Sequence, residues 1–184
     1  MDPFKTLGLP RCFDVDMRSL ALTHRQLSRT LHPDRYVGAG ASERHLALER
    51  AVQVNEAFRA VRDPLRRAEA LFSLAGVPVG EANEPRPSPG FLMDLMELRE
   101  ELAVAMASKD LAAIRRIKED MSARQAAAHR ELGRVFALAP DGGEARAEGE
   151  GGLGAHVGLL GELRFYGRIL EEVGVIEEEL SHAS

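Results

Sequence analysis

The chain has 184 residues, of which 45% are hydrophobic and 29% charged. This composition fits one or two small folded domains and excludes a disordered or collagen-like chain. The formal net charge of −5 is unevenly spread, because residues 1–75 carry a net +3 and residues 76–184 a net −8, which indicates two modules with different partners.

Residue types disfavour several classes of protein. The single cysteine, Cys12, excludes an internal disulfide and a cysteine-rich zinc or iron–sulfur site within the chain. No apolar run reaches the roughly 20 residues that span a bilayer, and residues 1–10 are neither a secretory signal nor a transit peptide. We therefore expect a cytoplasmic protein without a membrane partner. No Trp and two Tyr argue against nucleic-acid binding, which uses aromatic stacking.

Apolar residues recur at helical spacing, and no segment alternates as a strand does, so we predict an all-α fold. A short element at residues 4–10 precedes a helix from about residue 16 to 31. His32-Pro33-Asp34 ends that helix, because a residue before proline avoids the helical region. Ser42 is the predicted N-cap of the next helix, which Asp63-Pro64 interrupts before a short helix that ends at Gly76.

The second part of the chain is predicted as a connection followed by three helices. Residues 77–90 are rich in Pro, Gly and charge, as linkers are. We predict domains at residues 1–76 and 91–184, joined by this linker. The second domain is predicted to have three helices, at residues 91 to about 107, about 110–137 and about 157–180. A mobile Gly-rich loop at about residues 140–154 joins the last two.

The His32-Pro33-Asp34 turn places a carboxylate on a stiff support. Pro33 fixes the backbone and holds the Asp34 carboxylate outward. One alternative is an ordinary helix-ending turn. Another is a catalytic dyad of His32 and Asp34, which is disfavoured because no nucleophile or metal ligand accompanies it at matching spacing.

Arginines on the preceding helix extend this surface. Arg18, Arg25 and Arg29 are seven and four residues apart and share one helix face, and Arg35 continues the positive surface beyond the turn. A basic stripe that leads to an exposed carboxylate suits an acidic partner that also offers an arginine.

The surrounding sequence carries a specific resemblance. Residues 4–74 resemble a J-domain, and the strings LSRTLHPDRY and VNEAFRAVRDPLRRAEALFSL are similar to the J-domain of the HscB family, the iron–sulfur co-chaperones. The resemblance implies an antiparallel helical hairpin with flanking short helices that stimulates ATP hydrolysis by a DnaK- or HscA-type chaperone, in a protein that is not itself an enzyme. It implies these chaperone-binding residues: His32, Pro33, Asp34, Arg25, Arg29 and Arg35.

The segment FLMDLMELREEL, residues 91–102, has large apolar residues on two faces of one helix. The predicted core stripe consists of Phe91, Leu95, Leu98 and Leu102. The opposite side carries Leu92, Met93, Met96, Glu97 and Glu100. The apolar residues on that side indicate either burial against another part of the chain or a docking patch for a protein. Phe165 either completes the patch or packs at the edge of the core.

The same segment resembles the start of the C-terminal three-helix domain of HscB proteins, which binds the IscU-type scaffold on which iron–sulfur clusters are built. The resemblance implies that the chain itself needs no metal or cofactor and that any cluster belongs to the scaffold. It implies these scaffold-binding residues: Leu92, Met93, Met96, Glu97, Glu100 and Phe165. The alternative is a general J-domain co-chaperone whose bundle binds another client. A small metal-dependent enzyme is disfavoured because the His and Cys residues are dispersed.

Overall fold

The computed structural model describes residues 1–80, 83, 85, 87–138 and 152–182. Within these ranges every regular element is a helix, as predicted, and none of the helices there is long and apolar enough to cross a membrane. The chain forms two compact units, Met1–Pro78 with Gly133–Gly154 and Val79–Leu132 with Ala155–Ser184. The sequence-based division differs in two respects. It places all of residues 91–184 in the second domain, and it treats residues 77–90 as a separate linker, whereas the first unit ends at Pro78 and the second begins at Val79. Most of the loop predicted to be mobile, residues 139–151, lies outside the described residues.

The first unit is built around one long helix, α3. Its regular elements are α1 (Pro3–Leu7), α2 (Met17–Thr30), a 3₁₀ turn (Pro33–Tyr36), α3 (Ala41–Arg62) and α4 (Pro64–Leu74). Helix α3 packs against the other four elements and buries Val54, Ala57 and Val61, as their spacing predicts. Phe136 lies edge-on to Phe72, at 4.9 Å between ring centroids, which explains why Gly133–Gly154 belongs with this unit.

Side-chain caps fix the ends of three helices in this unit. The Asp2 carboxylate accepts the backbone N–H groups of Phe4 and Lys5, at 3.0 and 3.1 Å, and so begins α1. Asp16 caps α2 and Asp63 caps α4 in the same way. The predicted Ser42 cap is wrong. Gly40 occupies the N-cap position of α3 in an extended conformation without a side-chain hydrogen bond, so Ser42 lies within the first turn.

The second unit consists of α5 (Pro89–Ser108), most of α6 (Leu111–Ala137) and α7 (Gly158–His182). Its core is formed by buried aliphatic side chains of all three helices: Leu98, Leu102, Ile114, Ile117, Met121, Leu160, Leu163, Ile169, Val173 and Ile176. Ion pairs cross between helices at the surface. Arg99 bonds Glu172 at 2.7 Å, and Lys118 and Arg115 both bond Glu177, which holds the pKa of the Glu177 carboxyl below its usual value.

Candidate functional site

The His32-Pro33-Asp34 turn presents an accessible carboxylate. The side chain of Asp34 is 86% exposed and that of His32 is 58% exposed. The His32 ring nitrogen Nδ1 lies 3.3 Å from the backbone nitrogen of Asp34, which it caps, and 3.3 Å from a carboxylate oxygen of the same residue. Tyr36 ties the turn to the end of α2, since its hydroxyl donates to the Thr30 carbonyl at 3.4 Å. The prediction of an outward carboxylate on a proline-supported turn is confirmed.

The basic stripe lies on the exposed side of α2. Arg18, Arg25 and Arg29 are exposed there, and Arg35 is exposed in the turn that follows. Sequence reasoning missed one apolar member, Leu22, which is 57% exposed. Its position, four residues after Arg18 and three before Arg25, places it on the arginine face, so the spacing alone could have revealed it.

His24 holds the opposite side of α2 against α3. Its ring stacks on the Phe58 ring at 4.0 Å between centroids, and its Nε2 lies 2.9 Å from the Asn55 side-chain oxygen. The His24 side chain is half-buried between the two helices. This contact orients α2 so that its arginines face away from α3.

An exposed apolar patch lies on α5. Leu92 is 47% exposed, Met93 63% and Met96 65%, while Glu97 and Glu100 are also exposed beside them. These side chains are therefore not buried against the part of the second unit that the structure describes. Because adaptable methionines and carboxylates lie together on one face, the patch suits a protein partner.

The patch extends further along α5 than the sequence analysis recognised. Val104 is 69% exposed. It lies eleven residues after Met93. At about 100° per residue, this separation places both side chains on nearly the same side of the helix. The same helical wheel that identified Met93 therefore contained Val104 as well.

Phe165 joins the patch through a groove between α5 and α7. The groove has a volume of about 440 Å³, and Leu92 and Phe165 both line it. The Phe165 ring is half-buried and lies edge-on to the Phe91 ring at 5.6 Å. The assignments of Phe91 and Leu95 to the core need correction, because both side chains are half-buried and line the groove.

Metal-binding groups are dispersed in the described ranges. No group of three or more His, Cys, Asp or Glu side chains there could hold a metal ion. The free Cys12 thiol is half-buried, and burial raises its pKa. The positive charge of Arg67 lowers the pKa, but by less than burial raises it. A raised pKa leaves less of the thiol in the nucleophilic thiolate form.

The chain has one helical unit with an exposed His-Pro-Asp turn after a basic helix, and a second unit of three helices. This combination defines the class of J-domain co-chaperones. Comparison with known proteins gives the particular family. The family model described as the HSCB C-terminal oligomerisation domain matches residues 87–174. Co-chaperone protein HscB homologues of Burkholderia thailandensis and Burkholderia multivorans are 32% and 33% identical, over 97% and 96% of this chain and 95% and 94% of theirs.

Two experimental structures are similar over nearly the whole chain. Chaperone HscB from Vibrio cholerae has a TM-score of 0.79 and 31% identity, over 98% of this chain and 99% of that chain. The human co-chaperone protein HscB has the same fold, with a TM-score of 0.79 and 24% identity over 95% of this chain and 81% of that chain. The chain belongs to the HscB family of co-chaperones.

Proposed function

We propose that this chain stimulates the ATPase of a DnaK- or HscA-type chaperone and delivers to it an IscU-type scaffold protein, which promotes the assembly and transfer of iron–sulfur clusters. The observation that carries the proposal is the pairing of two exposed surfaces of different chemistry on one chain. One is the Asp34 turn with its basic stripe, and the other is the apolar patch of α5. The chain binds and presents, and the chemistry of ATP hydrolysis belongs to the chaperone.

The chaperone surface consists of the turn and the arginines beside it. Asp34 offers a free carboxylate that can pair with an arginine of the chaperone, and such pairs form strong, oriented hydrogen bonds. The exposed side chains of Arg25, Arg29 and Arg35 would attract an acidic chaperone surface and raise the rate of encounter. His32 and Pro33 support the carboxylate rather than react, because His32 caps the turn and Pro33 begins it.

The scaffold surface consists of the α5 patch and Phe165. Leu92, Met93 and Met96 supply apolar area that a partner can cover. Glu97 and Glu100 provide charges at its rim that select a basic partner. In this proposal any cluster stays on the scaffold, and the chain supplies only the binding surface. The single free cysteine fits a reducing compartment such as the cytoplasm.

ATPase stimulation tests the chaperone half of the proposal. We expect Asp34→Asn to abolish stimulation of a DnaK- or HscA-type ATPase while the helical circular dichroism is unchanged, because the side chain is 86% exposed and supports no core packing. Glu56→Gln, an equally small change at an exposed carboxylate of α3, is the matched control and should stimulate normally. Full stimulation by Asp34→Asn would refute the mechanism.

A binding titration against an IscU-type scaffold tests the other half. Saturable binding by this chain supports delivery of the scaffold. ATPase stimulation without scaffold binding would favour the second candidate, a general J-domain co-chaperone with another client. Because the rim of the α5 patch is acidic, the scaffold proposal expects a basic surface on the part of the scaffold that faces it.

A further inference from the structure

The groove between α5 and α7 contains a charged side chain that the proposed function does not use. We call it the Phe165 groove. Its walls are Phe91, Leu92 and Leu95 on α5 and Gly161, Glu162 and Phe165 on α7. Among the described residues that line it, Glu162 carries the charge. We propose that this groove receives a lysine or arginine side chain of the scaffold protein, with its aliphatic stem on the apolar walls and its cationic end at Glu162.

The walls suit the stem of such a side chain. Phe91 and Phe165 present half-buried rings at 5.6 Å, and Leu95 adds aliphatic surface beside them. Long basic side chains commonly lay their methylene groups along apolar surface and keep the charge at the end. Aromatic faces also attract a cation that lies over them. Gly161 contributes no side chain to the groove, so space is left for the incoming one.

The position of Glu162 supplies the charge complementarity. The Glu162 carboxyl group is half-buried, and burial raises its pKa above the usual value. A hydrogen bond from the Tyr166 hydroxyl lowers the pKa, but by less than burial raises it. Arg124, which lies near Tyr166, is itself engaged by Asp120 at 3.0 Å and Asp94 at 3.3 Å. A carboxylate that has lost part of its water gains more from an incoming cation than an exposed one does.

Continuity with the α5 patch identifies the occupant as the scaffold. Leu92 forms both a wall of the groove and the first residue of the exposed patch, so a protein that covers Met93 and Met96 also reaches the groove. The rim charges Glu97 and Glu100 are also acidic, which agrees with a basic segment on the partner. This inference rests on the proposed scaffold binding and adds the residue that determines part of its specificity.

The test is a titration of the scaffold protein with the full chain and two matched variants. We expect Glu162→Gln to weaken binding by at least about tenfold, the loss typical of a hydrogen bond to a charged group. Glu171→Gln is the control, because Glu171 is exposed on α7 and lies on the opposite side of that helix, nine residues away. It should bind as the parent does. Thermal unfolding of both variants shows that neither has lost its fold.

A double-mutant cycle identifies the partner residue. Each exposed lysine and arginine of the scaffold is changed to alanine and tested against both the parent chain and Glu162→Gln. We expect one basic residue whose loss costs much less once Glu162 is already glutamine. Equal binding of parent and Glu162→Gln, or no coupled residue, would overturn the groove assignment while leaving scaffold binding intact. Absence of binding by the parent would instead refute the proposed function. A self-association that Glu162→Gln abolishes would place a second copy in the groove and also overturn the assignment.

Discussion

Replacing Leu92, Met93 and Met96 together by alanine separates a docking patch from a piece of core. Complete burial of a Leu or Met side chain is worth about 1.5–3 kcal/mol. Because these side chains are 47%, 63% and 65% exposed, a partner can still bury roughly half to two thirds of each. Allowing for the methyl group that alanine keeps, we expect the triple variant to lose about 3 kcal/mol of scaffold binding, roughly 150-fold in Kd.

The same variant should change folding stability little. Exposed side chains have few native contacts to lose, so we expect a loss of no more than about 1 kcal/mol in urea unfolding. Leu98→Ala is the internal comparison, because Leu98 is 9% exposed on the same helix and its truncation should cost about 2–5 kcal/mol. Isothermal titration and urea unfolding measure the two quantities independently. A triple variant as unstable as Leu98→Ala would show that the patch is core, and unchanged binding would show that the scaffold docks elsewhere.

Two further predictions concern the first unit. Leu22→Ser should reduce ATPase stimulation without lowering the melting temperature, because Leu22 is 57% exposed among the arginines; a lower melting temperature would assign it to packing. Asp2→Ala should lower the free energy of unfolding by about 1–2 kcal/mol at neutral pH, through loss of the α1 cap. Burial raises the pKa of Asp2, but hydrogen bonds from the N–H of Lys5 and the guanidinium of Arg11 outweigh this, so the net pKa is below its usual value. The stabilisation from Asp2 is therefore present at neutral pH and is lost as pH falls through the folded pKa. Urea unfolding from pH 7 to pH 3 should therefore show a smaller pH effect in Asp2→Ala, and an equal effect would contradict this.

Helix positions and the exposed turn were predictable because they depend on local chemistry. Asp16 and Asp63 satisfy backbone N–H groups of their own helices, and Pro33 restricts the residue before it, so each signal acts within a few residues. Gly40 shows the limit of this reasoning. Ser42 is the better N-cap by side-chain chemistry, but an extended glycine begins α3 instead. Helix α7 contains several glycines and still runs without a break from Gly158 to His182, because its buried face outweighs their low helical propensity.

The groove was not predictable, because it depends on how two helices distant in sequence come together. The helical wheel places Leu95 with the buried Leu98 and Leu102, yet Leu95 is half-buried and lines the groove. The spacing places Glu162 beside Phe165 on α7, but nothing in the local pattern indicates that Phe91 meets this side of α7. The side of each helix was therefore predictable from its period, whereas the depth of each side chain required the packed structure.

The opposite charges of the two surfaces give each of them a means of rejecting the other's partner. In the proposed function, an acidic chaperone surface would be attracted by the arginine face of α2 and repelled by the carboxylates of α5, and a basic scaffold segment would have the reverse preference. Selectivity by repulsion would then let one chain engage both proposed partners without competition for a single site. Since exposed charges act mainly on encounter and are screened by salt, added salt should slow both associations. The apolar contacts of Leu92, Met93 and Met96 persist at high salt, so the scaffold complex should be the less salt-sensitive of the two.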